Sequence, residues 1–380
     1  MDITLLLIFL VPLTVAIFAV TMLSHSVSIT EGVLLFVGTA FIVSGVWYAG
    51  RYSSADDYEL WNGEIVRKQA ITRGCPIGWQ SYQDDFCTEH RTRTVKSGEM
   101  CSTDDKGNTT CTPIYTTEYN YVFDWERRYF VWTNVKYDFE IKRVDRQGVN
   151  EPPKYTEKKV GDPASSMQPY SNWVRAASEN LYHEDGVVEE QYSNVIPSYP
   201  IKIYDKIKVD RVVPIGNVTY PETLNNDISV VLKKLGPERQ MNFVLVLVDA
   251  NQYGDNIAYA IRKKWYGFKK NDAVAIIGLD NNNIKWANVF SWSKKSLFDI
   301  ELRDSIIGGM GKPIEYSTLI KNVETIGMNS FERRSMKEFE YLKNAIPVPT
   351  WLIVSGFILS VILSISLLIF FCKVDIRIIK

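Results

Sequence analysis

Three stretches of this chain are almost wholly apolar, and they lie at its two ends. Residues 3–23 and 32–49 are separated only by the segment from Ser24 to Glu31, and a third run, within 347–372, follows a long polar middle. Each is about long enough to cross a ~30 Å hydrocarbon layer as a helix. We therefore expect three transmembrane helices. The first lacks a basic leader and a small-residue cleavage site and runs directly into the second, which argues against a removable signal peptide. The segment 51–346 then lies on one side of the membrane and the tail 373–380 on the other.

Between the anchors the pattern changes twice. In 51–144 it reads as strands and turns. Asn62-Gly63 sits between apolar runs in Tyr58 to Val66 as a hairpin signal, and Tyr119 to Trp125 and Tyr129 to Thr133 are aromatic and β-branched on either side of Glu126-Arg127-Arg128. In a small β-module such aromatics supply the core that short strands lack. Residues 145–200 read as a connector broken by Pro152-Pro153, Gly161-Asp162-Pro163 and Pro197, with one short helix from Trp173 to Leu181.

The segment 201–346 is more regular. A helix from Ile228 to Leu235 stops at Gly236-Pro237, and Phe243 to Val248 is a strand buried on both faces. Asp255 caps a helix whose stripe is Ile257, Ala258, Ile261 and Trp265, ending at Gly267, and Ala273 to Ile277 is a second buried strand. A turn at Asp280 to Asn283 leads to a strand from Ile284 to Phe290, and Ser296 opens a helix bearing Leu297, Ile300 and Ile306. The order α-β-α-β-β-α describes a sheet covered by helices. The expected fold class is a membrane-anchored α+β protein with three transmembrane helices, a β-rich module and an α/β module.

Charge matters mainly at the ends. With 43 Lys+Arg against 44 Asp+Glu among 380 residues, the net charge is -1, which excludes an electrostatic nucleic-acid binder. Lys373, Arg377 and Lys380 against Asp375 favour a cytoplasmic C-terminus and hence an extracytoplasmic large domain, although Arg51, Arg333, Arg334 and Lys343 lie at that domain's flanks. Cysteine usage agrees. Cys75, Cys87, Cys101 and Cys111 lie in one polar stretch, with Cys372 apart in the last span. Two disulfides fit an oxidising compartment, whereas the intervals C-x11-C-x13-C-x9-C lack the close pairs of a zinc site. Their three connectivities stay open. Trp47, Tyr48 and Trp351 are expected at one membrane interface. Gly356, Ser360 and Ser364 form a small-residue stripe suited to helix packing within one chain or between chains of a homo-oligomer.

The stretch from about Ile228 to Leu342 resembles the TPM domain, an extracytoplasmic α/β module that is often membrane-tethered. The likeness is carried by Phe243 to Asp249, Tyr253 to Ala260, Trp265 to Asp272 and Ala273 to Ile277; the strand after Asn283 departs from the family's usual glycine-containing turn. The upstream module, through Trp61-Asn62-Gly63 and Asp145 to Pro153, is similar to membrane proteins encoded by large tailed phages, which implies a bacterial inner membrane. Some TPM relatives are credited with phosphatase activity or calcium binding. The resemblance makes Asp249, Asp255 and Asp280 the candidate ligands here for Ca2+ or Mg2+, although each is also an ordinary strand-exit, cap or turn residue.

Catalytic signatures are absent from the sequence. The histidines are His25, His90 and His183, and Gly308 to Pro313 lacks the spacing and hydroxyl of a phosphate loop. Asn108-Thr109-Thr110 and Asn217-Val218-Thr219 match glycosylation sequons, which matter only in a eukaryotic secretory host. The expectation is a non-enzymatic, membrane-anchored extracytoplasmic binding or scaffold protein acting on an envelope component. The alternatives are a metal-assisted phosphate-ester hydrolase and an accessory subunit of a transporter or channel.

Overall fold

The structure is a computed structural model, and it describes residues 3–72, 80–81, 87–88, 91–103, 107, 109–121, 127–135, 138–141, 151–177, 192–200, 203–204 and 206–374. Three helices are long and apolar enough to cross a membrane: α1 (Ile3–Met22), α2 (Ile29–Tyr52) and, at the end of the chain, α9 (Thr350–Lys373). Their polarity is inverted relative to a water-soluble bundle. Leu6, Leu10, Phe41, Ile42, Ile358 and Ile362 point outwards, while Thr39, Ser360 and Ser364 are buried between the helices. The stripe on α9 therefore packs within this chain: Gly356 lies against Ile8 and Trp47, and the Ser360 hydroxyl donates to the Ile8 carbonyl at 3.4 Å. One expected interface anchor is corrected. Trp47 is only 1% exposed, because Gly356 leaves room for its ring inside the bundle; Tyr48 and Trp351 do face outwards.

After a single 3-10 turn, α2 passes into β1 (Asp56–Thr72), a strand that spans roughly 55 Å at ~3.3 Å per residue. Asn62-Gly63 is thus no turn. A side chain on Gly63 would collide with Asn134 and Val135, and Asn62 is buried against the α/β module, so both residues are held in extended backbone by contacts distant in sequence. β2 (Gln80–Ser81) pairs with β3 (Cys87–Thr88), and β4 (Arg91–Thr103) with β5 (Thr109–Tyr121). β6 (Arg127–Thr133) and β7 (Phe139–Ile141) extend the sheet of β1, with Tyr129, Phe139 and, from α3 (Pro153–Glu157), Tyr155 in its core. The aromatic segment before Glu126 does not form a hairpin with β6: its described part belongs to β5 and pairs with β4, while residues 122–126 lie outside the described residues.

The expected connector contributes β8 (Pro163–Ser171), which pairs antiparallel with the first half of β1 and completes the order β7-β6-β1-β8. The described helix there is α4 (Trp173–Ala176); residues 178–191 lie outside the described part.

In the α/β module β9 (Ile203–Tyr204) and β10 (Lys208–Val209) precede a second sheet. That sheet is ordered β11 (Val212–Ile215), β12 (Asn242–Asp249), β13 (Asp272–Asp280), β14 (Asn283–Ser291), with β14 alone antiparallel. β11 escapes the hydrophobic pattern because it is short and contains Pro214, which an edge strand tolerates. One face of the sheet carries α5 (Leu224–Arg239), α7 (Leu297–Ile307) and α8 (Tyr316–Ser330); the other carries α6 (Asn256–Lys264). α5 runs through Gly236-Pro237 and ends at Gln240, whose φ is 54°. Pro237 forfeits one helical hydrogen bond in the last turn, and Gly236 lets the helix touch the backbone of Asn62. In α7 the buried face is Phe298, Leu302 and Ile306, so of the three apolar residues singled out in the sequence Leu297 and Ile300 face solvent and Ile306 is buried. Asn281 and Asn282 take positive φ and form the β13–β14 turn where it was expected.

Candidate functional site

The two ends of the α/β sheet carry different chemistry. At the carboxyl ends, β11 leads to a helix on one face and β12 to a helix on the other, the arrangement that opens a crevice in α/β sheets. At this end Gly216 has φ +83°, and a Cβ there would stand 2.7 Å from that of Asp249. Asp249 is buried and accepts from the Asn251 backbone N–H at 3.0 Å; the Asn251 side chain reaches Asp280 at 3.0 Å. Asp280 also pairs with Lys285 at 3.0 Å, and its carboxyl is held below the usual range by Asn251 and Lys285. Asp255 precedes α6 on the surface, and its side chain makes no cap hydrogen bond.

Asn251 therefore links Asp249 to Asp280, but the three expected carboxylates do not converge. Among the described residues, the set of three or more ligating side chains within 4.8 Å of one another is Glu99, Cys101 and Cys111, and there the two sulfurs are joined as a disulfide. Asp249, Asp255 and Asp280 do not form such a set, so their geometry does not fit a hard-cation site.

The disulfide Cys101–Cys111 links directly opposed residues of β4 and β5. It leaves one connectivity for a second bridge, Cys75 with Cys87; Cys75 lies outside the described residues and Cys87 is described only as part of β3. His90, His183, Asn108 and the tail beyond Val374 also lie outside them, whereas Asn217 is exposed on a turn.

The opposite, amino-terminal end of the sheet holds the chemistry that sequence reasoning missed. There β1 crosses the starts of β12 and β13. Asn271 donates to the Leu60 carbonyl at 2.6 Å, and Asn62 donates to the Met241 carbonyl and to Asn242, both at 3.1 Å. Arg211, 2% exposed, donates to Asn62 at 2.6 Å, to Ser165 at 2.9 Å and to Ser229 at 2.8 Å. Burial lowers its guanidinium to about 10. Nearer the apolar bundle, Asp57 meets Lys269, Asn172 at 2.8 Å, Tyr170 at 3.1 Å and Arg175 at 3.3 Å. Glu59 meets Arg333, Lys270 at 3.3 Å and the Trp61 indole at 2.9 Å.

Behind this row, Asp272 accepts from Tyr199 at 2.6 Å, from Asn242 at 2.9 Å and from the Lys269 backbone at 2.8 Å. Burial raises its carboxyl to about 6 against those hydrogen bonds. In Asp57 burial also pushes upwards, but Lys269, Asn172 and the Tyr58 N–H outweigh it and leave that carboxyl below its usual value. Burial pushes Tyr170 and Tyr199 well above the ordinary phenol value. Groups so enclosed offer no approach to a substrate. Their arrangement clamps β1, and with it α2, to the sheet of the α/β module. Each partner is an ordinary surface residue type at ordinary spacing, so only tertiary proximity reveals the cluster.

An open cleft of about 640 Å³ lies beside the junction, lined by Lys158, Lys208, Asp210, Glu222, Asn225 and Ser229 among others. Among the described residues its lining includes no histidine or cysteine. Comparison with models of protein families, with curated proteins and with solved structures returns no match.

Proposed function

We propose that this chain is an integral membrane scaffold of the cell envelope, with a TPM-like α/β module presented outside the membrane and a cytoplasmic C-terminus. The observation that carries the reading is the pairing of an outwardly apolar three-helix bundle with a clamp that makes α2, β1 and the outer sheet mechanically continuous. Arg51, at the end of α2, also donates to the Ile346 carbonyl at 2.8 Å just before α9, so the end of one span is tied to the start of another where both meet the outer domain. Buried ion pairs contribute little net stability compared with apolar packing, and we infer that here they serve to hold one geometry. Such rigidity suits a protein whose task is to hold the loops at the carboxyl ends of β11 and β12 at a set position above the bilayer. There Gly216, Gln252 and Tyr253 offer a surface to an envelope component. The cysteine bridge and basic tail support the sidedness.

The test uses the full chain in its native membrane. Protease added to the extracytoplasmic face should cut the outer domain while a tag after Lys380 stays protected, and capture from solubilised membranes should recover one envelope component that Gln252→Arg loses. Protection of the domain, or equal recovery by the variant, refutes the reading.

A further inference from the structure

The β4–β5 ribbon stands apart from the rest of the chain. Among the described residues it is a two-stranded sheet by itself, and none of its described side chains, from Thr94 to Thr103 and from Thr109 to Thr117, is buried. Such a ribbon is marginal in water unless something supports it. The Cys101–Cys111 bridge fixes its two strands together, yet Met100 remains 66% exposed and Tyr115 59%. Both long edges lack a strand neighbour among the described residues.

The two edges are not equivalent. β5 contains Pro113, which has no N–H to offer a further strand; β4 contains no proline. The sequence of β4 is also complementary to itself when run antiparallel about the Ser97–Gly98 step. Lys96 then faces Glu99 and Val95 faces Met100, each pair occurring twice; Lys96 and Glu99 already form an ion pair within one strand, and the register sets two such pairs side by side with unlike charges opposed. Opposite charges and apolar pairs directly across from each other stabilise antiparallel strands, and like charges there destabilise them. The irregularity between Lys96 and Gly98 falls at the centre of this register, so two copies would bend at the same place.

We propose that the free edge of β4 is a homotypic docking edge: two copies of this chain pair β4 with β4 antiparallel, and two arms become one four-stranded sheet. The occupant is a second copy because the register matches Lys96 to Glu99 and Val95 to Met100 within this strand's own sequence. Edge pairing buries less than the ~800 Å² per partner of a standard interface. Confinement of both copies to one membrane supplies the missing effective concentration, and in that respect the proposal rests on the membrane reading above.

The test is cysteine cross-linking of the full chain with Cys372→Ser, reconstituted in lipid vesicles. Val95→Cys in one copy faces Met100→Cys in a second copy in this register, so vesicles holding the two variants mixed should give a disulfide-linked dimer under mild oxidation, and either variant alone should link poorly. Lys96→Glu in both copies, or Glu99→Lys in both, should cut the linked fraction at least about fivefold, and Lys96→Glu in one copy with Glu99→Lys in the other should restore it, which the Lys96–Glu99 pair inside each strand cannot do. Thr116→Cys, on β5, should link poorly. Peptide mapping of the Cys101–Cys111 bridge checks that the arm forms in each variant, and recovery with the vesicles separates a failure of anchoring from a failure of pairing. No linkage between positions 95 and 100, equal linkage through Thr116→Cys, or indifference to charge reversal would overturn the proposal.

Discussion

Replacing Gly236 by alanine sets local and tertiary physics against each other. Gly236 lies inside α5, where alanine is favoured over glycine by about 1 kcal/mol. In the folded chain, however, a Cβ there would stand 2.5 Å from the carbonyl carbon of Asn62 and 2.9 Å from its Cβ, with the carbonyl oxygen nearer still. These are mostly backbone atoms, so relief requires moving α5 away from β1 by roughly 1 Å, and overpacking of this kind costs about 1–3 kcal/mol. The shift also strains the bonds from Arg211 and Ser165 to the Asn62 side chain, at 2.6 and 2.8 Å. Weakening a buried bond from a charged donor costs about 1.5–3 kcal/mol. After the helical gain, the net expectation is a loss of about 1.5–5 kcal/mol, or roughly 3–20 °C in Tm at ~2–4 °C per kcal/mol.

Thermal unfolding of the full chain in detergent, followed by circular dichroism, measures the loss. Gly327→Ala is the control: its Cβ would meet the Met241 sulfur at 3.0 Å and the two Leu235 methyls at 3.1 and 3.3 Å, side-chain atoms that can yield where backbone cannot. It should be neutral or slightly stabilising. A Gly236→Ala protein as stable as the parent would refute the close contact between α5 and β1.

Two further outcomes follow from the same structure. Because burial raises the Asp272 carboxyl from 3.8 to about 6, its contribution to stability is complete below pH ~4 and lost as pH rises through ~6, on the order of 3 kcal/mol. Asp57, whose pKa is lowered, acts oppositely and only as pH falls below its usual value, so the windows separate. Urea unfolding at pH 4.5 and 7 should show that Asp272→Asn removes part of the fall in stability with rising pH; an unchanged difference contradicts the assignment. In the bundle, Gly356→Leu should lower the detergent Tm by several degrees, because even a Cβ there would stand 3.0 Å from an Ile8 methyl. Gly45→Leu, on open surface with nothing within 4 Å, should not, and equal effects would argue against the packing of α9 on α1.

The sequence by itself determined the three apolar helices, the buried strands β12 and β13 and the turn at Asp280 to Asn283. Those features depend on interactions within a dozen residues, or on whether a whole face meets water, and hydrophobic period and turn chemistry record both. The tertiary structure alone decided how the stripe on α9 and Trp47 are used, because a small residue and an indole become partners only when two helices meet. It also turned Asn62-Gly63 and Gly236-Pro237 from breakers into contacts: each glycine makes room for a backbone or side chain supplied by another element, and that steric demand outweighs its local preference. The clamp of Asp57, Glu59, Arg211 and Asp272 was equally invisible, since its members come from β1 and from positions some 100–275 residues later. Spacing along the chain carries no trace of such pairs; burial creates the need for a partner, and burial is settled only when the two sheets close on each other.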